Sequence, residues 1–544
     1  MKRFFQYLHT KPATAVSYFV LIVAVISINT WQLVLPNFGS DDSYSIAAAK
    51  NLDDGHGYTI ATVSEHDLSM TYYDPLNKWP PGYSLLLVII KRITKTEWIT
   101  ACYILNAIGA TFLILALRKI FYLLQIPERI TNIYLLFAGF FPYSFLSWWF
   151  SDLIAVSCFM WAIVLLIQMT IKNKYLILSV SGAGLLLGFC AWLKYLYLPI
   201  GPVPFIFLLF YSWKTSQVKL SKALLTGMII VVVSAAFELW FQHYHTGTLF
   251  YINPTKEGFF PRNLLHPGPI IPGSLLHLDL WTVQLSEKLH IPYSNFFFIW
   301  KCLNVILTAG LLVLIYRYYR NNGFQVAQPL HIYMNLGMVI AISISVLLGF
   351  LSVTQAPYSS HSTPFWTYIE EIRYYGVLSI FIQQGLFFLI LYQGDLLGRF
   401  KKYFILSATA VIALVILHGF YYLSKKALIQ KEIGKTRKTE QFDFIVLKTV
   451  DDLIENGNKL VVCSYVDEDA NFASLSGASG LYNIKKINGE LRTSKAITLL
   501  VILNKSMLPE FNTFFLKYKP TLLFNCTAWT GDGNTNDFYI LKLP

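Results

Sequence analysis

Phe38-Gly39-Ser40-Asp41-Asp42-Ser43-Tyr44 runs on through Asn51-Leu52 and Gly55-His56-Gly57-Tyr58 to Lys78-Trp79-Pro80-Pro81-Gly82-Tyr83, and it is the first polar segment of the chain. An apolar stretch from about Ala13 to Pro36 precedes it, and such a stretch supplies the roughly 20 residues a helix needs to cross a bilayer. It is too long for the hydrophobic region of a signal peptide and lacks a small-residue cleavage site. Met1-Lys2-Arg3 and Lys11 ahead of it hold the N-terminus inside. Two adjacent acids therefore stand where the chain has just left a membrane, and the polar stretch 37–80 is expected on the outer face.

The whole chain has the composition of a membrane protein. Of its 544 residues 55% are hydrophobic, 16% aromatic and only 13% charged, whereas soluble domains are about a quarter charged. The formal net charge of +13 sits in short Lys/Arg clusters between apolar spans, the pattern of cytoplasmic loops. No contiguous basic stripe accompanies it, which argues against nucleic-acid binding. Cys102, Cys158, Cys190 and Cys302 lie in apolar spans as small buried hydrophobes. No zinc-type spacing occurs. Cys463 and Cys526 lie in the polar tail and can pair if that tail is outside the cytosol.

Orienting each apolar span by its basic flanks gives about 11 transmembrane helices, the number that keeps the principal Lys/Arg clusters inside. After the first span, Tyr83–Ile90 is too short to cross and is expected to lie in the outer leaflet. The following spans are Ile99–Leu117, about Ile130–Trp148, one opening at Ser151-Asp152, and Tyr175–Leu198. Pro202–Trp213 is a short, Pro-broken crossing. Then come about Ala223–Phe241, Asn295–Tyr316, His331–Val353, Tyr375–Leu396 and Phe404–Leu423, with a long Pro- and Gly-rich outer loop from His243 to Tyr293. After Ser424 the composition turns mixed and charged, with helix-like Phe442–Glu455 and strand-like Lys459–Val466, Ile497–Leu503, Thr521–Asn525 and Phe538–Leu543. The fold class is thus a polytopic α-helical membrane protein with outer-face juxtamembrane helices, residues 1–424, followed by a small extracytoplasmic α/β domain, residues 425–544.

Ser40 as N-cap and Gly55 as stop predict one short helix over 41–54, with Asp41 and Asp42 in its first turn. There the helix dipole favours their ionised form, and an ionised carboxylate can accept a proton or hold a divalent cation. An isolated Asp pair equally well caps a surface helix. Its company argues for chemistry: Ile46, Ala47, Ala48 and Ala49 give the helix an apolar side suited to the membrane surface, and Pro80-Pro81-Gly82 starts a second such helix.

Asp41-Asp42, Tyr44, Ala48, Asn51-Leu52, Gly55-His56-Gly57-Tyr58 and Trp79-Pro80-Pro81-Gly82-Tyr83 together resemble the first-loop signature of polytopic GT-C glycosyltransferases, in particular the protein-mannosyltransferase-like and aminoarabinose-transferase-like branches. The resemblance covers roughly residues 1–425 and is strong only over 38–83. It implies an enzyme that takes a sugar from a polyprenyl-phosphate carrier and transfers it, with inversion, to an acceptor lipid, glycan or protein outside the membrane. It also implies that Asp41, the first acid of the pair, is the general base. Asp42 stands where many relatives have Glu, which leaves its role open.

Weaker parts of the same pattern are Ser151-Asp152, the Gly182–Gly188 helix leading to Lys194-Tyr195, and Tyr368 to Tyr375 with Glu370, Arg373 and Tyr374. Each has a bland reading as well: Asp152 as a helix cap, Lys194 as a snorkelling side chain, and the last segment as interfacial anchoring. Glycosyl transfer needs a base on one side of the anomeric carbon and charge stabilisation of the departing phosphate on the other. Asp41, Asp42 and Asp152 are the acid candidates; Lys194 and Arg373, then Lys78 and Arg92, with Tyr44, Tyr83 and Tyr374, are those for substrate and phosphate. Asp42 or Asp152 with Glu370 or His266 offers ligands for a divalent metal ion, though no spacing fixes a site. The competing readings are a transporter or flippase of lipid-linked glycans and a non-catalytic scaffold of a glycan-assembly complex. A transporter would carry its distinctive acids in mid-helix, whereas these cluster in the outer loops.

Overall fold

The computed structural model describes residues 12–34, 40–141, 150–171, 176–249, 329–354, 376–388, 401–436, 442–454, 459–464, 471–527 and 535–544, apart from a few single positions within them, together with isolated residues such as Tyr143. In chain order the elements are α1 (Pro12–Val34), α2 (Ser40–Asp53), β1 (Thr59–Val63), β2 (Thr71–Pro75), α3 (Gly82–Thr94), α4 (Trp98–Leu123), α5 (Glu128–Phe140) and α6 (Phe150–Ile171). There follow α7 (Leu176–Leu193), α8 (Tyr197–Ile200), α9 (Val203–Lys214), α10 (Val218–Thr246), α11 (Pro329–Thr354), α12 (Gly376–Phe387) and α13 (Lys401–Thr436). The tail holds α14 (Phe442–Ile454), β3 (Lys459–Ser464), β4 (Ser479–Leu481), β5 (Ile497–Asn504), α15 (Asn512–Tyr518), β6 (Thr521–Thr527) and β7 (Thr535–Leu543).

Seven helices among the described residues are long and apolar enough to cross a membrane, within α1, α4, α6, α7, α10, α11 and α13. The protein is a multi-pass membrane protein. The expected total of about 11 is neither reached nor refuted by that number, because the predicted span Asn295–Tyr316 lies almost wholly outside the described residues. The described helices α5, α9 and α12 are each only 12 or 13 residues long.

The chain divides into two compact units. Unit 1 comprises Met1–Leu35, Asn106–Trp240 and Tyr251–Ser424; unit 2 comprises Pro36–Leu105, Phe241–Phe250 and Lys425–Pro544. Within unit 1, small residues bring helix backbones together, as expected where lipid offers no hydrophobic drive to association. Gly184 and Gly188, one turn apart on α7, face Gly227 and Ser234 of α10, and a Cβ at Gly184 would lie 2.7 Å from the Gly227 carbonyl oxygen. Polar side chains in the spans find neighbouring carbonyls or amides: Ser157 Oγ donates to the Gly109 oxygen at 2.9 Å, Trp192 Nε1 to the Ser234 oxygen at 3.1 Å and Tyr143 to Gln383 at 2.6 Å.

Unit 2 is built on a seven-stranded sheet of order β2-β1-β4-β3-β5-β7-β6. The tail supplies five strands, and the first loop supplies the other two as an antiparallel hairpin, Thr59 opposite Pro75 and Val63 opposite Thr71. Strand β1 lies parallel to β4, with Thr62 beside Gly480. Alternation along β3 and β5 sorts two buried layers: Val461, Cys463, Leu499 and Val501 face one side with Val63 and Leu68 of the first loop, and Leu460, Val462, Leu500 and Ile502 face the other with Val446 and Val450 of α14. Cys463 is buried in β3. Two strands, β5 and β7, separate it from β6, which carries Cys526. At about 4.8 Å per strand that separation is beyond disulfide reach, so the pairing considered from sequence does not form.

Polar tethers fasten the hairpin to the tail. The Asp67 carboxylate accepts from the Ser69 amide at 2.9 Å and the Ser494 amide at 3.0 Å, and from both hydroxyls. Lys459 Nζ donates to the Ser69 oxygen at 2.7 Å and to Thr71 Oγ1 at 2.6 Å. The hydrogen bonds from Ser494 and Ser69 hold the Asp67 carboxyl well below the usual carboxylate range, outweighing desolvation. A carboxyl depressed by folding stabilises the fold above its unfolded pKa of about 4, and that contribution is lost as pH falls through the folded value. Asp67→Asn is therefore expected to lower the thermal midpoint of the purified protein at pH 7, with the difference from the parent shrinking as pH drops below about 4. A midpoint difference that stays constant with pH would contradict this.

Candidate active site

Helix α2 starts at Ser40, so Asp41 and Asp42 fall in its first turn as the sequence predicts. Its end is set by Gly55 and Gly57, with φ of +88° and +77°, left-handed conformations that glycine adopts without steric cost. The chain then reverses into β1, and the Asn51 side chain donates to the Thr59 oxygen at 2.9 Å. Ile46, Ala47, Ala48 and Ala49 are all buried. Four consecutive helical residues point in every direction around the axis, so α2 is enclosed by protein rather than laid on the membrane by one apolar side, as the sequence suggested. Helix α3 fits the interfacial expectation better, with Tyr83, Leu87 and Val88 buried and Ile89 and Ile93 exposed.

Two sets of contacts fix α2 against α3. Ser84 Oγ donates to the Ser45 oxygen at 2.7 Å in a buried position, and the Asp53 carboxylate is shared by Lys91 Nζ at 2.9 Å and Arg92 Nε at 2.7 Å. Burial raises the Asp53 pKa, but the hydrogen bonds and charges of Lys91 and Arg92 prevail and hold it below its ordinary value. Arg92, a sequence candidate for phosphate binding, thus has its charge engaged at the far end of α2. Beneath the loop the buried Tyr58 hydroxyl donates to the Trp79 and Pro80 oxygens at 3.1 and 3.2 Å, setting the entry to α3.

On the first turn of α2, Tyr44 stacks on Trp79 with ring centroids 5.0 Å apart and planes 23° from parallel. The Lys78 ammonium lies 4.3 Å from the Trp79 centroid and 5.8 Å from that of Tyr44, within cation–π range, and the residue is exposed. The helix turn whose sequence carries the acid pair is therefore followed directly by a cation and two aromatic faces in contact. Tyr83 is buried in the first turn of α3.

In unit 1, Asp152 opens α6 and Lys194 follows the last residue of α7, and the two form an ion pair. Their side chains are only 3% and 13% exposed, and the second Asp152 oxygen has no partner among the described residues. Arg373, Tyr374, Glu370 and His266 lie outside the described residues. No group of three or more His, Cys, Asp or Glu placed to hold a metal ion occurs among the described residues, and Asp152 spends one oxygen on Lys194. Sequence reading overlooked Glu238, fully buried in α10 with neither carboxylate oxygen partnered among the described residues. A lone acid in an apolar span was the available signal.

Two crystal structures of ArnT from Cupriavidus metallidurans, one bound to undecaprenyl phosphate and one in the apo state, are similar to this chain, with TM-scores of 0.52 and 0.53 and sequence identities of 12% and 11%; each match covers 97% of this chain and 98% of the other. The archaeal oligosaccharyltransferase AglB from Archaeoglobus fulgidus, in complex with an inhibitory peptide and a dolichol-phosphate, matches over 94% of this chain and 71% of its own at 12% identity, with a TM-score of 0.47. No protein-family model matches the sequence, and no curated protein matches it. The likeness to ArnT establishes the fold alone: over nearly its whole length the chain is folded as ArnT is.

Because the Asp152–Lys194 pair is largely buried, removing the lysine takes from the Asp152 carboxylate the cation that compensates it, at a cost of about 3–5 kcal/mol. Lys194→Met is therefore expected to lower the thermal midpoint in detergent more than the Asp152→Asn/Lys194→Met double variant does. Additive losses would show that the two side chains do not act as a pair.

Proposed function

We propose that the protein is an inverting glycosyltransferase that moves a sugar from a polyprenyl-phosphate carrier to an acceptor lipid, glycan or protein on the outer face of the membrane. The observation that carries this reading is the motif on α2: two acids in the first turn, with the Tyr44–Trp79 stack and the Lys78 ammonium over it. The motif's parts match the two demands of the reaction. A carboxylate at a helix N-terminus stays ionised at neutral pH and can take the proton of an acceptor hydroxyl or amide as it attacks the anomeric carbon. A cation fixed on aromatic faces can meet the charge that accumulates on the phosphate as the glycosidic bond breaks.

In this reading Asp41 is the base and Asp42 assists at the same turn. Lys78 is the first-loop phosphate ligand, and Tyr44 and Tyr83 shape the substrate's approach. Lys194, paired with Asp152, and Arg373 with Tyr374 are further candidates for the phosphate, and Arg92 acts through Asp53. The fold supports the carrier class, since one of the similar ArnT structures holds undecaprenyl phosphate. The sugar can be a hexose or a pentose on these grounds. Unit 2, including residues 425–544, is assigned to the outer face with the first loop, in keeping with the basic clusters that flank the apolar spans.

The test is transfer from radiolabelled polyprenyl-phosphate sugars by the purified protein in lipid. Asp41→Asn is expected to reduce kcat by about 10²–10⁴-fold and Asp41→Glu to retain measurable transfer, with both variants eluting as the parent does. Full activity in Asp41→Asn removes Asp41 as the base, and a parent protein that moves lipid-linked sugar across the bilayer without transferring it favours the flippase reading.

A further inference from the structure

The sheet of unit 2 does more than join two segments. Asn471, in the tail, is fully buried, and its Nδ2 donates to Ser43 Oγ at 3.0 Å; Ser43 is itself 1% exposed. Ser43 lies in the first turn of α2, one residue after Asp42. The tail thus reaches past the β1–β2 hairpin and touches the turn that carries the acids. We propose that Asn471 is a positioning residue for the reaction assigned above, fixing the N-terminal turn of α2 through Ser43, so that the tail domain is part of the catalytic apparatus rather than an appendage.

Among the described residues the Tyr44–Trp79 stack also holds this end of α2, and other anchors act further along its length. Asn51 bonds to Thr59 near the C-terminal end, Asp53 takes Lys91 and Arg92 at the last residue, and Ser45 accepts from Ser84 through its backbone oxygen. Those contacts locate the axis of the helix and its C-terminal half. A side-chain hydrogen bond at Ser43 fixes the rotation and the closure of the first turn, where helices fray most readily because the first four amides lack intrahelical acceptors. Both partners are buried, so water does not replace the bond when one is truncated. The tail end of the bond is itself held firm: Ser474 Oγ donates to the Asn471 oxygen at 2.6 Å, and Ala473, Ala478 and the β4 residues that follow are buried in the sheet's own core. Displacing a catalytic group by about 1 Å can cost on the order of 100-fold in rate, so one hydrogen bond at this place has leverage that a bond elsewhere in the sheet lacks.

Two readouts on the full-length protein decide the matter, and only one of them needs the reaction. In hydrogen–deuterium exchange, Asn471→Ala and Ser43→Ala are each expected to raise exchange at least tenfold in amides of residues 43–47 while β3 and β5 keep the parent's protection. In transfer kinetics each variant is expected to lose about tenfold or more in kcat with little change in the KM for the lipid-linked sugar. The double variant should be no worse than either single, the mark of two residues acting as a unit. Should Asn471→Ala also loosen β3 and β5, Ser43→Ala, which leaves the tail intact, decides alone. Unchanged exchange at 43–47 in Ser43→Ala, or kcat losses that multiply in the double variant, overturn the proposal. If the parent transfers no sugar, the reading of the reaction fails while the exchange result still shows whether the tail fixes this turn.

Discussion

The parallel pairing of β1 with β4 is the constraint on which the first-loop motif of this protein depends. It joins a strand of the first polar loop to a strand more than 400 residues later, and the two then share one apolar layer, Val63 and Leu68 with Val461, Leu499 and Val501. A loop of some 45 residues between α1 and α3 would not by itself hold two acids in a defined place. Incorporating its middle into a sheet turns the loop into two short, anchored arms, one ending in α2 and the other in α3. Asp67 and Lys459 add polar tethers at the hairpin's turn and edge, where apolar burial is thin and hydrogen bonds to charged groups count for more.

From that frame the motif on α2 follows in steps. The hairpin fixes the C-terminal end of the helix through Asn51 and Thr59; α3 fixes its flank through Ser84 and the Asp53 ion pairs; Tyr58 sets the Trp79-Pro80 backbone. Trp79 can then stack on Tyr44, and Lys78, its neighbour in sequence, lies over both rings. The separate apolar unit meets its own requirements differently, with glycines that let α7 and α10 approach, polar groups that find carbonyls, and a buried Asp152–Lys194 pair whose charges compensate each other.

Much of this was legible in the sequence, and the omissions have physical causes. Composition and span length gave the membrane class, and capping logic gave α2 almost to the residue, because Ser40 and Gly55 mark its ends by local chemistry. The tail's longer strands and α14 followed from periodicity, whereas β4, only three residues long, did not. The hairpin was missed: Thr59–Val63 and Thr71–Pro75 are short, and β2 is largely exposed, so neither has the apolar alternation that marks a strand, and their partner lies far along the chain. For the same reason composition does not show that the tail builds its sheet together with residues 59–75. The four apolar residues of α2 suggested a membrane-facing side, but burial in protein satisfies an apolar surface just as well, and sequence does not distinguish the two. Arg92 and Lys194 were readable as cations but not as partners of Asp53 and Asp152, since pairing over about 40 residues is a property of the fold.

The most direct measurement is the position of the carrier's phosphate. A cryo-electron microscopy structure of the protein in lipid nanodiscs with a polyprenyl monophosphate is predicted to show the phosphate within hydrogen-bonding distance of Lys78 Nζ, beside the Tyr44–Trp79 stack, with the Asp41 side chain facing the space where the sugar would begin. A phosphate bound elsewhere, with Lys78 still resting on its two aromatic rings and the first turn of α2 remote from the lipid, would contradict the account.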